Sequence, residues 1–203
     1  MKMINHALAG VAISGLLALN AAPAAAAPTA SAIGGATSVE LAPSFLGALA
    51  SLKVSPAAIA PGRIASRSKG VFASFPITTG EIDLGTLKAE IDHAGGLSLT
   101  AGSTQVQLTS FIIDLAGTTP VLTGLVTVNG GLLGRVPLFD LDLGHSTAGA
   151  KEELVKVTNV AVTLTDTAAG ALNGVFGITA LSQGLAIGTA SVRAHLEHEQ
   201  ERE

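Results

Sequence analysis

The side chain in this sequence with the clearest capacity for chemistry is an imidazole. His93 ends the alternating run Leu87–His93, so it is expected on the apolar face of one strand, just before a glycine turn at Gly95. An imidazole there could coordinate a metal or haem iron, or it could hydrogen-bond to backbone groups of the turn. We predict the structural role, because Asp92 and Ala94 add no second ligand on the face of His93.

Two further pairs have a spacing that can bind a metal. His195 and His198 are three residues apart, which suits a metal site on a helix, but they lie in a charged segment near the end of the chain. Asp140 and Asp142 share one strand face and could bind Ca²⁺, yet they lack the further oxygen ligands and the glycine of a calcium loop. We interpret both pairs as solvated polar side chains, and we place His145 in a loop.

Sequence motifs of the common enzyme classes are absent. The chain has no G-x-S-x-G nucleophile motif, no Walker A loop and no H-E-x-x-H zinc motif, and its lack of cysteine excludes a thiol nucleophile. A Ser-His-Asp triad stays open, because its members need only be neighbours in space. We therefore predict that the protein is not an enzyme, and we keep a hydrolase as the third choice.

Composition and charge narrow the fold and the partners. Charged residues make up 13% of the chain and aromatic residues 3%, whereas 24 glycines are present. Small and β-branched side chains must then fill the core, which favours short strands joined by glycine-rich turns. The net charge is −4 and basic residues cluster only at Arg63, Arg67 and Lys69, so no nucleic acid partner is expected.

Evenly spaced strands and two short helices would position these groups. Segments Pro43–Leu52 and Asp166–Gly177 have helical patterns, with Thr165 or Asp166 as the N-cap of the second helix. In QVQLTSFIIDL the inward positions change phase after Leu108, which predicts a bulge or burial on both faces. The predicted fold class is mainly β: an antiparallel β-sandwich or barrel-like domain with two short capping helices.

The chain begins with a segment typical of a secretory signal peptide. Residues 1–26 contain a positive residue, a short apolar run and a region of small residues, so cleavage is predicted after Ala26. Residues 27–36 are interpreted as a flexible lead, 37–194 as the β-rich domain and 195–203 as a charged tail. This organisation predicts a secreted, extracellular or cell-envelope protein with no membrane span after signal cleavage.

Several short blocks of the chain also occur in an informative order. They are FPITTGEID (75–83), IDHAGGLSL (91–99), VQLTSFIIDL (106–115), RVPLFDLDL (135–143), and VTLTDTAAGALNGVFG with GLAIGTASV (162–192). In this order they resemble the HtaA-like domains of actinobacterial secreted and cell-surface proteins, a family linked to haem uptake. The resemblance implies a tyrosine as axial haem ligand, helped by a histidine. This chain matches the H-x-G-G-L turn at His93, but it has no Tyr, and Phe176 stands where some members have one.

Two functional hypotheses follow from these observations. The leading one is a secreted non-catalytic domain, without a cofactor, that binds or builds structure in the envelope or outside the cell; its ligand or envelope partner and its oligomeric state are not identified by the sequence. The alternative is a haem-binding or haem-relay protein of the HtaA type that uses His93. Haem iron takes His, Cys, Tyr or Met, and only histidines remain once the methionines leave with the signal peptide.

Overall fold

The computed structural model describes residues 28–151 and 153–197. In chain order the helices and strands are β1 (Thr29–Leu41), α1 (Pro43–Ser51), β2 (Ser55–Ile59), β3 (Arg63–Arg67), β4 (Gly70–Asp83), β5 (Ala89–His93), β6 (Gly96–Ala101), β7 (Thr104–Asp114), β8 (Val121–Val128), β9 (Gly131–Asp142), β10 (Thr147–Lys151), β11 (Leu154–Leu164), α2 (Asp166–Phe176) and β12 (Ala186–Leu196).

Eight of these strands close into an antiparallel barrel. Around the ring they lie in the order β7, β5, β4, β1, β12, β11, β9 and β8, and pairing of β8 with β7 completes the closure. Four short strands lie outside the ring: β6 pairs with β7 and carries β2 on its other edge, β3 pairs with β4, and β10 pairs with β11. The predicted mainly β fold with two short helices is confirmed, and of the two predicted architectures the structure has the barrel.

The inner side of the barrel follows from alternation along each strand. In β5, Ala89, Ile91 and His93 are buried, whereas Glu90 is exposed and Asp92 is half-buried. Because successive side chains of a strand point to opposite faces, the three buried residues must share the interior. The alternation predicted for Leu87–His93 is therefore confirmed from Ala89 onward, whereas Leu87 lies before the strand and is 39% exposed.

A bulge in β7 produces the phase change that the sequence predicts. Val106 and Leu108 face inward before it, and Phe111 and Ile113 face inward after it. The ladder with β8 shifts its register between Thr109 and Ile112, which leaves two consecutive residues outside the paired positions. An extra residue in one strand of a pair turns the following side chains to the opposite face, so both halves of β7 serve the same core.

The two helices differ in how they are capped. α1 begins at Pro43, where its missing N–H costs nothing, and no side chain caps it. In α2, Thr165 is the N-cap, since its hydroxyl accepts a hydrogen bond from the N–H of Ala168 at 3.0 Å. α2 ends at Gly177, whose φ of 65° is the left-handed conformation that glycine adopts without strain. Of the two predicted N-caps, Thr165 is confirmed.

Two boundaries predicted from the sequence differ from the structure. The segment 27–36, predicted to be a flexible lead, is strand from Thr29 onward, because β1 pairs with β4 on one side and with β12 on the other. Small residues there carry little strand propensity, yet two ladders satisfy the backbone and bury Ala32. Residues 195 and 196, predicted to belong to a charged tail, lie in β12, which ends at the buried Leu196. The predicted signal peptide and residues 198–203 lie outside the described residues.

Aromatic packing centres on two of the six phenylalanines. Phe75 of β4 and Phe111 of β7 are both buried, with ring centroids 5.0 Å apart in an edge-to-face arrangement. Such a contact adds to the apolar area that each ring buries, so this pair anchors the wall that also carries β5. Across residues 28–151 and 153–197, no helix has the length and apolar character needed to cross a membrane.

Candidate functional site

The candidate site lies inside the barrel, in an apolar cavity of about 120 Å³. Side chains from the barrel strands line it together with residues of both helices, such as Leu49 of α1 and Leu172 of α2. Among the lining residues, only Thr37 and His93 have polar side chains. Any chemistry in this interior therefore depends on that pair.

Thr37 and His93 are joined by a short hydrogen bond inside the barrel. The threonine Oγ1 lies 2.7 Å from Nε2 of the imidazole, and Nδ1 lies 3.3 Å from the carbonyl oxygen of Phe111. A carbonyl can only accept, so Nδ1 carries the proton and Nε2 is the acceptor for the Thr37 hydroxyl. His93 is 5% exposed, and its two nitrogens connect strands β1, β5 and β7.

Local backbone geometry places the imidazole between these partners. β5 ends at His93 because the chain turns at Gly95, whose φ is 86°. A Cβ on Gly95 would overlap the backbone nitrogen of Gly62, so only glycine allows this approach. On the other side, the bulge in β7 takes Phe111 out of the ladder positions and leaves its carbonyl to His93. The glycine turn after β5 and the bulge in β7 together form the buried site of His93.

Burial favours the neutral form of the imidazole. Desolvation lowers the pKa of His93 below its ordinary value, whereas the hydrogen bond with the Phe111 carbonyl and the negative charge of Asp92 oppose that shift. A neutral imidazole with a proton on Nδ1 presents a lone pair at Nε2. The site can therefore accept a hydrogen bond, as it does from Thr37, or donate that lone pair to a metal.

The arrangement gives little support to the hydrolase that the sequence left open. A nucleophile triad needs a carboxylate to orient and stabilise the imidazole. The hydrogen-bond partner of Nδ1 is the neutral carbonyl of Phe111 instead, and the hydroxyl on Nε2 belongs to a buried threonine.

The other predicted candidates do not join this site. Asp142 accepts a hydrogen bond from the N–H of Gly144, and His145 is exposed in the loop that follows. His195 lies on β12 and is exposed, and its predicted partner at position 198 is outside the described residues. Within residues 28–151 and 153–197, no group of three or more His, Asp or Glu side chains could hold a metal ion.

Sequence reasoning missed both partners of His93. Thr37 alternates with Val39 and Leu41, so a period-2 count along β1 would have placed its hydroxyl inside. The Phe111 carbonyl carries no sequence signal, since any residue has one. The contact between Thr37 and His93 joins residues 56 positions apart, which only strand pairing can bring together.

Comparisons with known proteins relate the chain to solved structures alone, because no protein-family model and no curated protein matches its sequence. The C-terminal domain of HtaA from Corynebacterium glutamicum matches with a TM-score of 0.61 and 14% identity, covering 83% of this chain and 99% of that domain. A domain-swapped dimer of a histidine-to-alanine variant of the same domain gives 0.53 and 16%, covering 76% and 91%. The heme binding protein HtaB from the same organism gives 0.53 and 12%, covering 84% and 96%. The chain therefore has an HtaA-like fold.

Proposed function

We propose that this chain is a non-catalytic haem-binding protein and that His93 is its iron ligand. The observation that carries the proposal is the orientation of the imidazole: Nδ1 donates to the Phe111 carbonyl, and Nε2 points to a partner that can be exchanged. Metal-ligating histidines characteristically give their second N–H to a carbonyl or carboxylate in this way. The fold shared with heme binding protein HtaB supports haem as the ligand over a purely structural role.

The side chains around the cavity have the chemical types that haem binding requires. Imidazole is a protein ligand of haem iron, and the aliphatic and phenylalanine side chains around His93 suit the apolar faces of a porphyrin. Bound haem would supply the iron that Nε2 coordinates, and the role of the protein is to hold or relay that group. The resemblance implies a tyrosine ligand that this chain lacks, and histidine is the ligand type that remains after the predicted signal cleavage.

The Thr37 hydroxyl and the size of the cavity set two conditions on binding. Nε2 becomes available only when Thr37 gives up its hydrogen bond of 2.7 Å. The cavity of about 120 Å³ is also smaller than the roughly 300–1,000 Å³ typical of ligand pockets. The proposal therefore requires the wall beside His93 to open when haem binds, and it makes Thr37 a competitor of the iron.

Titration of the purified protein with haemin tests this proposal. We expect a saturable Soret band that His93→Gln and His93→Ala both remove, whereas the exposed-loop variant His145→Ala keeps it. Thr37→Val deletes the competing hydroxyl while keeping the shape of the side chain, so it should bind haemin more tightly than the native protein. A native protein that gives no Soret band, or a band unchanged in both His93 variants, would contradict the proposal.

We further propose that the protein is exported and acts outside the cytoplasm or in the envelope. The support is the signal-like segment 1–26, with small residues before the predicted cleavage after Ala26. Intact-mass measurement and N-terminal sequencing of protein from culture supernatant should find a chain that begins at residue 27. Recovery of the full-length chain from the membrane fraction alone would show that the segment is retained.

A further inference from the structure

The geometry points to a second kind of ligand: we propose that the closed barrel interior binds a small uncharged apolar molecule, such as a single aromatic ring or a short alkyl chain. This inference does not rest on haem binding, because it uses the cavity as it stands and needs no metal ligand.

A water molecule in this cavity would have too few hydrogen-bond partners to be stable there. A buried water needs two to four polar partners, and the lining offers only the Thr37 and His93 side chains. Those two are engaged with each other and with the Phe111 carbonyl. In the part of the chain that the structure describes, no buried side-chain nitrogen or oxygen lacks a hydrogen-bond partner. The cavity is therefore dry.

Its size matches small apolar guests. The volume is about 120 Å³, close to that of engineered cavities of about 150 Å³ lined by Leu, Ile and Phe that stay dry and bind benzene or xenon. Side chains that face an empty space lose their dispersion contacts, and a guest of matching shape restores them. Binding is thus favourable without any change in the polar groups of the wall.

The same walls exclude polar guests. A hydroxyl, amide or carboxylate would enter a space whose only polar side chains already have partners, and it would lose its hydration without compensation. Selectivity for neutral hydrocarbon-like molecules follows from this absence of free donors and acceptors in the lining.

Two buried alanines on β12 provide a matched pair of variants. Ala190 lines the cavity, whereas Ala194 on the same strand is also buried but does not line it. Ala190→Ile places three additional carbons where a guest would sit. Ala194→Ile adds the same atoms to the same strand at a position that the cavity does not reach.

The test uses toluene as the neutral probe and benzoate as its charged counterpart, with methyl NMR spectra and melting curves of the full chain. We expect toluene to shift the methyl signals of lining residues such as Leu99 and Leu172 in a saturable way and to raise Tm, and benzoate to do neither. Ala190→Ile should abolish the response and Ala194→Ile should retain it. If Ala190→Ile does not fold, Leu108→Ala serves instead, since it enlarges the cavity and should admit bulkier alkylbenzenes that the native protein rejects.

Three outcomes would overturn the inference: no saturable shift with toluene, shifts confined to surface methyls, or an unchanged response in a folded Ala190→Ile variant. The two proposals have separate readouts, methyl shifts with toluene for this inference and the Soret band with haemin for the proposed function. A native protein without a Soret band that still gives the saturable toluene shift contradicts only the haem proposal, and a Soret band without that shift contradicts only this inference.

Discussion

The two faces of β5 place titratable side chains in opposite environments. On the inner face, His93 is buried and neutral, and each ring nitrogen has one partner. On the outer face, Glu90 lies directly opposite Glu81 of β4 and Asp114 of β7, which gives a row of three carboxylates across adjacent strands. One strand of five residues thus carries a buried imidazole on one side and a concentration of negative charge on the other.

The difference shows that position in the wall, more than residue type, decides what a titratable group can do. The outer carboxylates meet water, which solvates each charge and screens their repulsion. The inner imidazole is buried, so desolvation favours its neutral form and two hydrogen bonds fix its partners. Only the inner group is therefore a candidate for ligand chemistry.

The largest expected effect comes from removing an aromatic ring inside the wall. Phe111→Ala deletes a buried ring in contact with Phe75, so it should reduce the free energy of unfolding by about 3–5 kcal/mol. Phe72→Ala is the control, since that half-buried ring lies beside Arg67 and should cost clearly less. Urea denaturation of both variants measures the difference, and equal losses would show that the inner face is not the core.

A smaller loss is expected when the imidazole itself is removed. His93→Ala leaves the Thr37 hydroxyl without its partner in a dry interior, which should cost roughly 1–3 kcal/mol. His93→Gln keeps a donor and an acceptor and should be milder. His145→Ala, in an exposed loop, should change stability by less than about 0.5 kcal/mol. If His93→Ala is as stable as His145→Ala, the buried hydrogen bonds contribute nothing.

The buried imidazole also predicts a pH dependence with a definite sign. Burial lowers the pKa of His93 in the folded state, so the unfolded chain binds its proton more readily and stability falls as the pH drops below the ordinary histidine value of about 6.5. One such group contributes at most about 1.4 kcal/mol for each pH unit. Denaturation at several values between pH 7.5 and pH 5 should show this loss in the native protein and a flatter profile in His93→Gln. Parallel profiles would remove His93 from the pH response.

The smallest effect belongs to the outer carboxylates. Glu90→Gln removes the charge that faces Glu81 and Asp114, so it should stabilise the protein by about 0.2–1 kcal/mol, and less at high salt. Glu40→Gln is the matched control, because the residues opposite Glu40 are the uncharged Phe72 and Thr189. Comparison at low and high ionic strength measures both changes. A destabilised Glu90→Gln would indicate that the carboxylate row has a role of its own.

Features that depend on residues close together in the sequence were predicted, whereas features that depend on contacts between distant segments were not. The alternation of β5, the phase change in β7 and the N-cap at Thr165 were all predicted, because each depends on residues within one segment. The start of β1 was predicted wrongly, since its small residues become strand only through pairing with two other strands. His93 was selected from the sequence, but its partners were not, because they come from β1 and β7.

By itself, the sequence determined which side chains share a strand face, where the turns fall and which residue types are present to serve as iron ligands. These properties are local: the period of two along a strand, the freedom of glycine at Gly95 and the absence of Tyr and Cys need no tertiary contact. Only the tertiary structure decided that the strands close into a barrel, that the interior keeps an apolar cavity and that Thr37 contacts His93. Closure requires each strand to pair at one register with two neighbours, and that choice depends on the whole ring at once.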